Sequence, residues 1–522
     1  MRYRSLREDT VGYRVGTIAS PRFAADVRSA ALHTLAATLL GLVARLSYVL
    51  AFDFPLNDGG LFVVMTRDLI DAGFHIPLTT TYNDLSIPFA YPPLGFYLTA
   101  AVATATGIDI VELFRWLPLV LSAACVPAFA LLARELLQPT AARPATYAYA
   151  LVPAGFAWPI MGGGLTRSLG LLFALLALAA LARALADGSR RAVLLAVVLS
   201  GLTALSHPHV AAFLALSAVL VALVRCRTRA AFARFLLVGA GAIVVAAPWW
   251  LTVVARHGIG PFVAAATTGA ASDSLAQSLG TLLRWNAWNE PLFPLVSALA
   301  LAGVAITLSR RDLLLPFWIV ALAFVLPGPF QMLSAVPLAL LAGIGVAAAS
   351  EIALAPRAAR AVAIAGVGYL TVAAMFAFIG VLEGLPVEER VAMKWVAEQT
   401  PASARVLVVT TRNPGLDAAG EWLPALALRP SVLVTQGTEW LPGVTAERTR
   451  EHERASDCAQ SDGDCLARLA ADGVRYDYVY LASAGRDPAP VACCASLAQA
   501  LRGDARYSLA YEGGSVVIFA RR

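Results

Sequence analysis

Charge is what this sequence lacks. Only 14% of its 522 residues are Asp, Glu, Lys or Arg, 59% are hydrophobic, and mean hydropathy is +0.70. Soluble globular proteins carry roughly 25% charged residues, so a soluble body is excluded and a polytopic membrane protein is indicated. No GxGxxG, Walker loop, low-complexity tract or internal repeat is present, which leaves nucleotide chemistry on the cytosolic side without a motif. The six cysteines do not form two CxxC pairs, so a zinc site lacks its usual spacing. The apolar segments between residues 117 and 382 hold hardly any acid near their centres. That absence argues against an ion-coupled transporter, in which mid-membrane ionisable groups do the work. Net charge +6 and a pI near 9.1 would suggest nucleic acid in a soluble protein. Here most Arg sit in short loops between apolar segments, where the positive-inside rule accounts for them, and no nucleic-acid partner is expected.

The N-terminal stretch lacks the compact apolar core and small-residue cleavage site of a signal peptide, so the first apolar segment is expected to be an uncleaved anchor. Its six Arg favour a cytoplasmic start for residues 1–29. Residues 30–382 form the membrane body, with apolar spans at 30–52, 117–137, 144–160, 166–186, 191–206, 209–225, 232–255, 291–308, 313–327, 329–350 and 358–382. A further segment at 94–107 is short for a crossing. Arg-rich loops ("RELLQPTAAR", "RALADGSRR", "RCRTRAAFAR", "SRR", "PRAAR") alternate with Arg-poor ones ("MGGG", "SHPH", 257–290, "PGP"). The alternation favours eleven crossings, within a range of 11–13, and puts the 53–92 loop and residues 383–522 outside a plasma (inner) membrane.

The last 140 residues read as a small extracytoplasmic α/β domain: "ARVLVVTT" and "YDYVYLAS" are β-rich, "SLAQALRG" is helical, and "YSLAYEGGSVVIFAR" is two strands about a Gly-Gly turn. Cys458, Cys465, Cys493 and Cys494 fall in this domain and are disulfide candidates outside the cytosol. Cys125 and Cys226 lie in or beside helices and read as packing residues.

Chemistry concentrates in the first loop, "FPLNDGGLFVVMTRDLIDAG" and "IPFAYPPLGFYL". A fixed carboxylate just outside a membrane helix can take a proton from a hydroxyl or hold a divalent cation, and the Gly-Gly after Asp58 admits close backbone approach. Residues 61–73 suit an amphipathic helix lying in the interface, with Arg67, Asp68 and Asp71 off its apolar face. "AYPPLG" forces a stiff, extended entry into the next helix and fixes Tyr91.

An acid on the first loop, an amphipathic helix, then an aromatic before "PPLG" resembles the GT-C glycosyltransferases, chiefly the protein O-mannosyltransferases and lipid A aminoarabinose transferases. Those families usually show adjacent Asp-Glu, whereas here Asn57-Asp58 supplies one acid. The resemblance implies a polyprenyl-phosphate-linked sugar donor, a glycan, lipid or protein acceptor, and inversion at the anomeric carbon with Asp58 as general base. Asp84 and Tyr91 are candidates for binding acceptor or metal, and Mg2+ or Mn2+ is the candidate cofactor. For the leaving phosphate, loop side nominates Arg167, Arg256, His207, His209 and His257. Interfacial snorkelling or capping explains each of these alone. Trp288 and Glu290 in "RWNAWNEPLF" are sugar-binding candidates with Trp285 nearby, set against an aromatic-belt role. Glu421 and Trp422 carry only a weak tie to acceptor recognition. The alternative to transfer is a transporter or flippase of lipid-linked saccharides.

Overall fold

The computed structural model describes residues 21–270, 275–284, 287–351, 355–461, 463–482 and 493–522. Trp285 lies outside them. The body comprises α1 (Pro21–Val49), α2 (Gly60–Asp71), α3 (Leu94–Thr106), α4 (Ile110–Leu136), α5 (Pro139–Leu151), α6 (Gly164–Asp187), α7 (Arg190–Ala204) and α8 (Pro208–Arg225). It continues through α9 (Arg229–His257), α10 (Gly260–Ala270), α11 (Leu275–Leu283), α12 (Leu295–Ser309), α13 (Leu314–Val325), α14 (Phe330–Ala349) and α15 (Pro356–Phe376).

Among the described residues, seven helices are long and apolar enough to cross a membrane: α1 from Arg28, α4, α6, α8, α9, α14 and α15. The chain is a multi-pass membrane protein. The expected span 144–160 is not one helix. α5 stops at Leu151 and two 3-10 turns follow, Pro153–Gly155 and Trp158–Ile160. Pro153 cannot donate to the ladder and keeps Val152 out of helical geometry, with ψ 118°. The freed Ala150 carbonyl accepts from Arg45 of α1 at 2.9 Å, and that guanidinium also stacks over Phe156 at 4.5 Å. The expected 291–308 span likewise starts late, at Leu295, because Pro291 and Pro294 precede it. The 94–107 segment is a single helix of 13 residues.

α14 is the most buried of the long helices and packs against α12 and α5; α6 packs against α4 and α7. Glycine permits the closest crossing: a Cβ at Gly303 would lie 2.1 Å from the Leu341 carbonyl oxygen. Small residues let apolar helices approach where hydrophobicity alone gives no drive.

The C-terminal part carries α16 (Val387–Gln399), α17 (Ala418–Ala427), α18 (Val444–Asp457), α19 (Gly463–Ala471) and α20 (Ala495–Gly503). Its strands are β1 (Val406–Val409), β2 (Tyr478–Leu481), β3 (Tyr507–Gly513) and β4 (Val516–Arg521), ordered β1-β2-β4-β3. β1 and β2 pair in parallel, β4 runs antiparallel to both its neighbours, and the β3–β4 hairpin turns at Gly514 with φ +59°. Each expected strand and the expected helix at 496–503 is present. Cys458 is bonded to Cys465, and Cys493 to Cys494.

α2 does not lie free in an interface. Residues Gly60–Thr66, Asp68 and Leu69 are buried between α3 and α17. Asp68 accepts from the Thr80 hydroxyl, the Thr81 hydroxyl and the Thr81 amide at 2.6, 2.6 and 2.9 Å, so it closes the following loop.

Candidate active site

Asp58 follows the bent link after α1, in which Asn57 takes φ +52°, and immediately precedes the Gly59-Gly60 entry to α2. Its Oδ1 accepts from the Gly163 amide at 2.9 Å, and its Oδ2 faces both terminal nitrogens of Arg167 at 3.3 and 3.4 Å. The Met161–Gly164 loop wraps the residue closely. A Cβ at Gly162 would lie 2.0 Å from the Asp58 carbonyl oxygen, and one at Gly163 would lie 2.7 Å from Oδ2. Three successive glycines are what lets backbone close on a carboxylate. The pair keeps about a fifth of each side chain exposed, 21% for Asp58 and 19% for Arg167, so a ligand can reach both. Trp158 caps the guanidinium face at 5.5 Å from its ring centroid.

Next to this pair the Tyr91 hydroxyl meets Thr166 Oγ1 at 3.2 Å. Its ring packs against Phe62, Trp440 and His207, at 4.8, 5.8 and 6.0 Å between centroids. Burial pushes the Tyr91 phenol up, which keeps it a hydrogen-bonding hydroxyl. Burial, reinforced by Arg167 and His209, pushes the His207 imidazole well down, and its Nδ1 has no partner among the described residues. The His209 ring stands 5.6 Å from His207 and is exposed. One end of the bundle therefore gathers Asp58, Tyr91, Arg167, His207 and His209.

The remaining candidates stand apart. Arg256 donates to the Ile76 and Pro77 carbonyls at 2.6 and 3.2 Å and braces the loop after α2. His257 is the last residue of α9, and Asp84 is exposed in a 3-10 turn; neither has a side-chain contact to the Asp58 group. Trp288 is buried, donates to Ser334 at 2.9 Å and packs on Phe330. Glu290 is buried and accepts from Val296 N, Ser297 N and Ser297 Oγ at 2.7, 2.9 and 2.7 Å, which caps α12. The polar ends of both are thus engaged by groups of the body itself.

Among the described residues no group of three or more His, Cys, Asp or Glu is placed to hold a metal ion. Both oxygens of Asp58 face N–H donors, and a guanidinium stands where a cation would bind. The Mg2+ or Mn2+ expectation therefore does not fit the residues present, and no step is routed through a metal.

The C-terminal part contributes contacts that sequence reasoning missed. Glu421 on α17 accepts from the Gly59 amide at 2.9 Å, across 362 residues of chain. The Trp422 indole donates to the Asn57 carbonyl at 2.9 Å, and Tyr82 donates to the Glu421 carbonyl at 2.8 Å. Nothing in "GEWLPALALRP" signals a partner near residue 58, because the pairing exists only once α17 docks on α2.

No protein-family model matches the sequence, and no curated protein matches it. Solved structures do match. The archaeal oligosaccharyltransferase AglB from Archaeoglobus fulgidus, in complex with an inhibitory peptide and a dolichol-phosphate, aligns with TM-score 0.57 and 14% identity over 87% of this chain and 69% of that one. ArnT from Cupriavidus metallidurans bound to undecaprenyl phosphate aligns with TM-score 0.55 and 16% identity over 95% and 98%. The chain has the GT-C fold. Arabinofuranosyltransferase AftD from Mycobacteria shares it at TM-score 0.51 and 18% identity, covering 94% of this chain but 41% of the larger protein. In this GT-C body the Asp58–Arg167 pair sits at the helix-bundle end from which the C-terminal sheet domain is also hung.

Proposed function

We propose that this protein is a polyprenyl-phosphate-dependent glycosyltransferase that works outside the cytosol. Asp58 takes the proton of an acceptor hydroxyl while that oxygen attacks the anomeric carbon, the bond from that carbon to the lipid phosphate oxygen breaks, and the centre inverts. The observation that carries the reading is the Asp58–Arg167 pair, 3.3 Å apart and part-exposed on a GT-C body. A base and a phosphate-gripping cation within a few ångström are what such a displacement requires.

The body also holds a cavity whose chemistry suits a prenyl chain. An apolar cavity of about 580 Å3 lies among α6 to α9, with Ser200, Ala204, Leu214, Val238, Trp249 and Trp250 on its wall. Part of its wall lies beside the reactive end: Trp249 donates to the Ala90 carbonyl at 3.2 Å, and Ala204 and Ala211 flank the His207–His209 turn. A prenyl chain in this cavity would direct its phosphate toward the turn that carries His209, on the side of Arg167. AglB and ArnT are bound to dolichol-phosphate and undecaprenyl phosphate in their own structures, which agrees with a donor of this class.

The test is Asp58→Asn in the purified full chain, assayed by release of undecaprenyl phosphate from undecaprenyl-phosphate-linked mannose, arabinose and aminoarabinose. Turnover is expected to fall by about 10²–10⁴ while undecaprenyl phosphate still binds. An Asp58→Asn protein as fast as its parent removes the base from Asp58. Movement of lipid-linked sugar across vesicles with no covalent product supports the flippase alternative instead.

A further inference from the structure

Gly59 occupies the N-cap position of α2 and has no side chain with which to cap it, so the first amides of that helix need an acceptor from elsewhere. Glu421 provides one, through the Gly59 amide at 2.9 Å and the backbone of Leu61. The neighbouring residue, Trp422, holds the Asn57 carbonyl. Both residues flanking Asp58 are thus fixed by two consecutive residues of the C-terminal part, and the Gly-Gly pair has its explanation in the same contact. A Cβ on Gly60 would lie 2.6 Å from the Glu421 carbonyl oxygen, and one on Gly59 would lie 3.1 Å from the Trp422 ring.

We propose that Glu421 is a positioning residue for Asp58: by capping α2 across the domain junction it sets the backbone from which the base projects at Arg167 and the acceptor. Its side chain is buried, 3% exposed, and cannot itself touch a substrate. The role rests on the proposed transferase reading. The cap acts through an accepting oxygen, which Gln retains and Ala does not, so the two substitutions separate positioning from charge.

The experiment compares Glu421→Ala and Glu421→Gln in the full chain, with Asp58→Asn alongside. Two readouts are taken, undecaprenyl-phosphate-sugar turnover and amide hydrogen exchange in the 55–65 segment. Misplacing a base by about 1 Å costs about 10²-fold, so Glu421→Ala is expected to lower kcat by about tenfold to 10²-fold at unchanged donor KM. It is also expected to raise exchange at Gly59 and Leu61 at least tenfold, while Glu421→Gln stays within about threefold of the parent in both. The proposal is overturned by an Ala variant with parental exchange and kcat, or by a Gln variant that loses as much as Ala. If Asp58→Asn abolishes turnover while Glu421→Ala leaves it intact, only the positioning role falls. If Asp58→Asn is fully active, the base reading falls, and the exchange measurement still decides whether Glu421 fixes the loop.

Discussion

The guanidinium of Arg167, in the first turn of α6, faces Oδ2 of Asp58 at 3.3 Å, while Gly163, one residue before that helix, donates its amide to Oδ1 of the same carboxylate. One loop-to-helix junction therefore supplies both the cation and the backbone donor that fix the acid. The pairing joins segments that are 109 residues apart.

Arg167 is expected to set donor affinity. A hydrogen bond to a charged group contributes about 1.5–3 kcal/mol, so Arg167→Ala should raise the Kd for undecaprenyl phosphate by about 10- to 100-fold. Arg167→Lys should recover part of the loss, because it keeps the charge but not the fork. Isothermal titration or thermal-shift binding in detergent measures this. An unchanged Kd in Arg167→Ala would move phosphate recognition to His209 or elsewhere.

Glu421 should leave a mark on the pH dependence of stability. Burial, with repulsion from Asp58 added and Arg167 opposing, raises this carboxyl well above the ordinary range; the Tyr82 phenol is the other titratable group beside it. The native protein then keeps the proton to higher pH than the unfolded chain does. Its stabilising contribution is complete below about pH 4.3 and declines as pH rises toward the native value. The Tm of the parent minus that of Glu421→Gln should fall as pH rises above about 4.3. A difference that stays flat, or rises, over this range contradicts the burial argument.

Glu290 is expected to matter for folding alone. Removing the cap of α12 by Glu290→Ala should cost about 1–2 kcal/mol of stability, seen as a lower Tm in detergent, with donor KM and kcat near parental values. A Glu290→Ala protein with a normal Tm and a donor KM raised tenfold would return Glu290 to sugar binding.

How much of this was legible in the sequence follows from the range of each interaction. The C-terminal strands at 406–409, 478–481, 507–513 and 516–521 announce themselves through β-rich runs and a Gly-Gly turn, all local signals. Hydropathy marks the long apolar helices equally well. It does not mark where helices break, so the 144–160 segment looks like one span although Pro153 divides it. Asp58 was visible from its loop position and Arg167 from the alternation of Arg-poor loops, but their contact depends on the Gly162-Gly163-Gly164 turn folding over the acid. Trp288 and Glu290 look like sugar-binding types in "RWNAWNEPLF"; only packing shows that one fills the core and the other caps a helix. Glu421 was the least legible, since a cap supplied from hundreds of residues away leaves no local pattern.

The two contacts that clamp Asn57 and Gly59 bear on how the molecule is made. A ribosome that has delivered everything through α15 has released a bundle whose span-forming helices are all in place and whose acid already faces Gly163 and Arg167, yet the backbone on either side of that acid still lacks its two clamps. Competence arrives only with α17, late in synthesis. On the proposed transferase reading, a chain truncated anywhere before Glu421 should insert normally and remain inert toward lipid-linked sugar.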